Sequence, residues 1–196
     1  MIETMWSPKA IIHLLDRFQP LANRRDQLSA KQILQVAEEI LSQPRCKVLI
    51  FGLGNDAPFW LACNPLGRST FIEDQLAWVR ELQPLLPTAE ICHVSYSTRI
   101  GLWQKDMEFP VGWPPSLCQV PWDVILVDGP HGHQRGTHGR QQSIWSASQV
   151  MTANSSVFLH DYERPWERTC ANAYLGPPDR ISPGKHRLLA QWTKRF

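Results

Sequence analysis

The chain has 196 residues, 43% of them hydrophobic and 19% charged, with 20 basic against 18 acidic side chains and a formal charge of +2. That length suits one α/β domain with a sizeable core, and the composition excludes a disordered chain. So small a net charge excludes a dedicated binder of nucleic acid or of an anionic membrane.

The first 18 residues, "MIETMWSPKAIIHLLDRF", lack the basic start and unbroken apolar run of a signal peptide. No later segment approaches the roughly 18 apolar residues that span a bilayer, so a soluble, cytoplasmic protein is expected. Residues 8–19 put Ile11, Ile12, Leu14, Leu15 and Phe18 on one helical stripe behind Ser7-Pro8. Residues 29–43 repeat the pattern with Ile33, Leu34, Val36, Ala37, Ile40 and Leu41 and stop at Pro44. These helices form a lead-in, residues 1–45, to a core over 46–196, the whole read as a single domain spanning 1–196.

After Cys46 the texture changes to short apolar runs at 47–51, 69–73, 89–96, 122–129, 155–161 and 186–192, with helical segments between them at 56–64, 74–84, 138–151 and 163–174. Strands that alternate with helices and are apolar on both faces predict a mostly parallel sheet covered on both sides. Residues 97–121 read as a long loop containing Pro and Trp. The five cysteines show no C-x-x-C pair, and their odd number excludes a fully paired set of intrachain disulfides, so reduced, mostly buried thiols are expected.

Ligands of an open α/β sheet collect at the carboxyl ends of its strands. The first such end is "GLGND", where Gly52 and Gly54 allow close backbone approach and Asn55 and Asp56 lead into a helix. Glu73 closes the second strand, 19 residues after Gly54, with Asp74 beside it. A glycine turn followed by an acid at that distance serves both dinucleotide and S-adenosylmethionine sites, the acid accepting from two ribose hydroxyls. "GLGNDA" also satisfies the dinucleotide form G-x-G-x-x-G/A, which keeps an NAD(P)-dependent oxidoreductase as the alternative. A dehydrogenase normally adds a catalytic region after its cofactor half, and here only the sheet follows.

Further along the rim stand Asp128, at the end of "WDVILVDGPHG", and His160 with Asp161, at the end of "VFLHDYER". Two carboxylates and an imidazole there are candidates to act as base for an acceptor hydroxyl, or, through Asp128 and Asp161, to hold a divalent cation. The loop "HGHQRGTHGR" offers His131, Arg135 and Arg140 for substrate contact, a guanidinium fork matching a carboxylate. Its H-x-H pair lacks the further ligands a zinc site needs. Among the tryptophans near the rim, Trp113 in "GWPP" is the expected stacking platform.

Taken together, "VLIFGLGND", "TFIEDQLAWV", "VSYST", "WDVILVDGPHG", "GRQQSIWSA" and "VFLHDYER" resemble, in that order, the polysaccharide biosynthesis domain of the irregular-xylem and glucuronoxylan 4-O-methyltransferase family. The resemblance covers residues 45–175 and implies a Rossmann-like, S-adenosylmethionine-dependent O-methyltransferase acting on a hydroxyl of a sugar or uronic acid. It implies that Gly52, Gly54, Asn55 and Asp56 hold the methionine part of the cofactor and Glu73 its ribose, while Asp128, His160 and Asp161 face the transferred methyl group and a small-molecule or glycan acceptor. A non-catalytic glycan-biosynthesis protein of the same fold is a further alternative. Departures are His138 where the family usually has proline and "HDYER" in place of "HDVDR".

Overall fold

A computed structural model describes residues 28–193; the helix expected over 8–19 lies outside them. The first described element, α1 (Ala30–Leu41), buries Ile33, Val36, Ala37 and Ile40, the stripe that three- and four-residue spacing places on one face. Two glutamines, Gln32 and Gln35, share that burial and reach across to distant parts of the chain. Gln32 Oε1 accepts from the Ser29 N–H at 2.9 Å, its Nε2 donates to the carbonyls of Ser182 and Arg187 at 3.0 Å, and Gln35 Nε2 donates to Gln191 Oε1 at 2.7 Å. These amide hydrogen bonds fasten α1 to the segment 182–191, although Gln35 Oε1 is left without a partner.

Seven strands form one sheet: β1 (Lys47–Phe51), β2 (Arg68–Glu73), β3 (Glu90–His93), β4 (Trp122–Val127), β5 (Met151–His160), β6 (Arg180–Pro183) and β7 (Leu188–Thr193), in the order β3-β2-β1-β4-β5-β7-β6. The first five run parallel, while β7 pairs antiparallel with both β5 and β6. Helices α2 (Ala57–Cys63), α3 (Leu76–Leu82), α4 (Gln141–Val150) and α5 (Pro165–Tyr174) fill the connections. Alternate residues of each strand go to opposite faces. Val48, Ile50, Phe71, Val124, Leu126 and Phe158 pack with α1 and α2 on one side, and Leu49, Phe51, Ile72, Ile125, Val127 and Val157 pack with α4 and α5 on the other.

The boundaries differ from the sequence reading where polar residues make the pairing. β3 stops at His93 rather than 96, because Ser95 pairs instead with Val111 of the long loop. β5 starts at Met151, directly out of α4, where Ser155 Oγ accepts from the Thr152 N–H at 2.8 Å and donates to the Trp122 carbonyl at 2.5 Å. β6 was not expected: it is an edge strand whose one large apolar residue, Ile181, is half exposed. Within 97–121 the chain forms a 3-10 turn at Pro115–Gln119. Cys46, Cys63 and Cys170 are buried free thiols, and burial pushes each up to about 12.

Candidate active site

The carboxyl ends of β1, β2 and β4 surround a cavity of about 430 Å³. At its floor β1 turns through Gly52, whose φ of 110° is open to glycine and costly to other residues. A Cβ on the neighbouring Gly129 would lie 2.7 Å from Gly52 Cα, so β1 and β4 finish back to back with no room for a side chain between them. The Asp128 N–H donates to the Phe51 carbonyl at 2.9 Å, which carries the β4 ladder up to the cavity edge.

Glu73 ties the first two strand ends together. Its Oε2 accepts from the Leu53 N–H and its Oε1 from the Gln75 N–H, both at 2.7 Å. Burial pushes its carboxyl up to about 7, against the lowering effect of those two backbone donors. Asp56, which accepts from the Trp60 indole N–H at 2.8 Å, is likewise pushed up to about 6, by burial first and by the Asp128 charge second. Glu73, Asp56 and Asp128 all line the cavity, together with Gly52, Gly54 and Asn55. No lysine or arginine among the described residues does so. An apolar wall completes it from Leu28, Ile33 and Trp78. The helical stripe of α1 was readable, but that it turns toward this cavity was not. Asp74 is not among the lining residues; its carbonyl lies 3.2 Å from His93 Nε2.

The three residues expected to share the catalytic work occupy unequal positions. Asp128, whose side chain is 28% exposed, faces the cavity. His160 is fully buried behind it, its Nδ1 2.8 Å from Asp128 Oδ1, and Asp161 is buried at 2% exposure. Burial works to raise the Asp128 carboxyl, but His160, Arg140 and Arg164 more than offset that and hold it below the usual carboxylate range. His160 and Asp161 therefore support Asp128 from behind and do not reach the cavity, which corrects the expectation that all three face the reacting atoms.

Arg140 is also corrected. Its side chain is buried: NH2 donates to Asp128 Oδ1 at 3.1 Å and to the Asp128 carbonyl at 2.9 Å, NH1 donates to the His160 carbonyl at 2.5 Å, and NH2 lies 2.8 Å from Asp161 Oδ2. It holds the site together and offers no free fork to a substrate. Asp161 meets two further guanidiniums, Arg164 at 2.9 Å and Arg187 at 3.3 Å. Donor atoms of Asp128, His160 and Asp161 lie within 4.8 Å of one another, a spacing open to a metal. Three arginines already neutralise Asp161, however, and a divalent ion would meet their charge, so this set does not fit the expected cation. Arg164 follows the "HD" pair by a helical turn and was within reach of the sequence; Arg187 comes from the β6–β7 turn, where nothing marked it.

The remaining substrate candidates separate. His131 lines this cavity, and Arg135 lines a neighbouring one. Trp113 is core: it is 8% exposed and stacks between Phe51 at 5.8 Å and Phe109 at 4.8 Å.

The chain matches the family described as IRX15/IRX15L/GXM over residues 31–109 and 105–188. It is 29% identical to glucuronoxylan 4-O-methyltransferase 2 of Arabidopsis thaliana over 168 residues, covering 72% of this chain and 58% of that protein. It is 30% identical to arabinogalactan O-methyltransferase 1 of the same plant over 163 residues, covering 68% and 56%. The chain thus spans little more than half the length of these relatives. Among solved structures, an O-methyltransferase from Bacillus cereus in complex with SAH superposes with a TM-score of 0.56 at 12% identity, covering 98% of this chain and 94% of that one. That likeness establishes the Rossmann-like methyltransferase fold. No helix among the described residues is long and apolar enough to cross a membrane.

Proposed function

Because this chain belongs to the IRX15/IRX15L/GXM family, we propose that it is an S-adenosylmethionine-dependent O-methyltransferase acting on a hydroxyl of a sugar or uronic acid in a glycan. One observation carries the choice of cofactor. The cavity at the glycine turn is lined by Asp56, Glu73 and Asp128 and by no lysine or arginine among the described residues. A pyrophosphate would meet the Asp56 carboxylate where a dinucleotide site offers bare N–H groups, whereas a ligand carrying sulfonium and ammonium charges meets attraction.

The residues fit such a ligand part by part. Glu73 would accept from the ribose hydroxyls with the lone pairs its two backbone donors leave over. Leu28, Ile33 and Trp78 supply an apolar surface suited to a purine. The backbone of Gly52–Asp56 and the Asp56 carboxylate suit the amino-acid end. The cofactor, when bound, supplies a methyl group on positively charged sulfur for in-line displacement by an oxygen nucleophile.

Asp128 accepts a hydrogen bond from the acceptor hydroxyl and takes its proton as that oxygen bonds to carbon. His160 and Arg140 fix the carboxylate, and alignment of the two reactants supplies most of the acceleration. Calorimetric titration with S-adenosylmethionine tests the cofactor: the wild type binds, and Glu73→Gln binds at least about tenfold more weakly, the loss of one charge-assisted hydrogen bond. Equal affinities would refute the assignment. Mass detection of methylated product across uronate-containing glycans tests the transfer, and cofactor binding without product would favour a non-catalytic member of the family.

A further inference from the structure

A second cavity, about 610 Å³ in volume, is bordered by Arg164 and Arg187, two of the guanidiniums that meet Asp161; neither lines the first cavity. Its basic side chains come from three separate parts of the fold. His133 and Arg135 belong to the loop after β4, Arg164 is the residue before α5, and Arg187 lies in the β6–β7 turn. Because α5, a helix of 10 residues, starts at the same wall with Pro165 and Trp166, its positive end borders the cavity as well.

We propose that this cavity is a binding site for a phosphoryl group, carried by a phosphate monoester of a small polar molecule. The site is separate from that of the methyl donor, and the proposal does not rest on the methyl-transfer reading.

Most of the positive charge around the cavity is already answered within the protein. Arg164 pairs with Asp161 at 2.9 Å, and Arg187 with Asp161 at 3.3 Å and with Glu163 at 3.0 Å. Arg135 differs: it has no ion pair or hydrogen bond among the described residues and lies exposed against the backbone of Gly101. The one acid on the wall, Glu167, is 1% exposed, and burial pushes its carboxyl up, toward the uncharged form. An entering anion thus meets one uncompensated guanidinium and two more beside it, with little charge opposing it. Burial, with the Arg140 and Arg187 charges, holds Arg164 below its ordinary value, so a further anion there is stabilising.

The arrangement of donors selects the kind of anion. A carboxylate has two oxygens in one plane and suits a single guanidinium fork, whereas the donors here arrive from three elements. A phosphoryl group offers three acceptor oxygens and close to two negative charges at neutral pH. It also leaves most of the cavity empty, and a volume of 610 Å³ is of the size that holds a whole small molecule, so an organic body accompanies it. Two buried polar atoms without partners, Glu167 Oε1 and Trp166 Nε1, belong to lining residues. They supply one acceptor and one donor for the hydroxyls of that body, and the Trp166 ring supplies an apolar face.

The test is a tryptophan-fluorescence titration with glucose 1-phosphate, inorganic phosphate and glucuronate, run with and without saturating S-adenosylhomocysteine. Glucose 1-phosphate is expected to bind about tenfold or more tightly than either of the others, the effect of one further charge-assisted hydrogen bond or of contacts to the sugar body. Arg135→Gln should lose about tenfold in affinity for the ester, while calorimetry gives wild-type affinity for S-adenosylhomocysteine. Trp166→Phe, which keeps a ring but removes the indole N–H, should weaken the ester and leave inorganic phosphate unchanged. Absence of ester binding, glucuronate binding as tightly as the ester, or an Arg135→Gln protein that binds the ester like the wild type would overturn the site. Inorganic phosphate as tight as the ester would overturn the monoester as its occupant. Competition between the ester and S-adenosylhomocysteine would put the ester in the first cavity and overturn the second as its site. Failure of the wild type to bind S-adenosylhomocysteine would overturn the methyl-transfer reading instead, and the titrations without it would still judge this site.

Discussion

The backbone N–H of Leu53 donates to Glu73 Oε2 over 2.7 Å, joining the turn after β1 to the acid that ends β2. With the Gln75 N–H on its other oxygen, one buried carboxylate fixes two neighbouring strand ends at the cavity. Glu73→Ala strands both donors, each costing about 1–3 kcal/mol when buried and unsatisfied. We expect urea unfolding to show a loss within that range or somewhat above it, accompanied by loss of S-adenosylmethionine binding. Glu73→Gln keeps one acceptor oxygen, so its stability should fall between those of Glu73→Ala and the wild type.

The same burial makes the site sensitive to pH near neutrality. Glu73 is pushed up to about 7 in the folded protein from an ordinary value of 4.5. A raised folded pKa means that the folded state holds the proton more tightly, so this contribution to stability is complete below 4.5 and is lost as pH rises through about 7. Cofactor binding runs the other way, because ribose hydroxyls donate best to the ionised carboxylate. Affinity for S-adenosylmethionine should therefore climb between pH 6 and 8 by up to about tenfold per unit below the pKa, and calorimetry of Glu73→Gln should show a flatter profile.

How much of this was readable follows from which interactions set each feature. The strands of the core announce themselves because β1, β4 and the end of β5 are buried on both faces, which leaves unbroken apolar runs such as Val124–Val127. Gly52 and Glu73 were legible because a glycine at positive φ and an acid at a strand end are local signatures. The edge strand β6 was not, since its pairing with β7 needs only backbone groups. Nor was the fate of Arg140. A basic residue beside a loop reads the same whether it points to solvent or, as here, is drawn inward by two carboxylates from different strands.

Arg140 illustrates what such a bridge does. It neutralises Asp161 and contacts both the side chain and the carbonyl of Asp128 from a buried position. Arg140→Met leaves these carboxylates partly uncompensated, and breaking a buried pair in this way costs about 3–5 kcal/mol. If the variant is studied at a temperature where it remains folded, the acid limb of its rate profile should lie at higher pH than in the wild type, because a cation that holds the Asp128 carboxyl low has gone. Arg140→Lys restores a charge but not the fork, so it should recover part of the pH shift and less of the stability.

The tryptophans divide by burial, and the division is measurable. Trp113 lies between Phe51 and Phe109 at 8% exposure, and its indole N–H points to Cys118 Sγ at 3.4 Å. Trp113→Ala should cost about 3–5 kcal/mol, as removal of a large core aromatic does, and any loss of activity should follow the unfolded fraction. Trp103 is 41% exposed and rests on Tyr174 by a stacked face, so Trp103→Ala should cost less, about 0.5–1.5 kcal/mol for the lost aromatic pair. Thermal melts of the two variants should separate the roles, with a large stability loss for Trp113→Ala and a small one for Trp103→Ala. A Trp113→Ala protein that stays as stable as the wild type would show that the "GWPP" loop is not held by this stack.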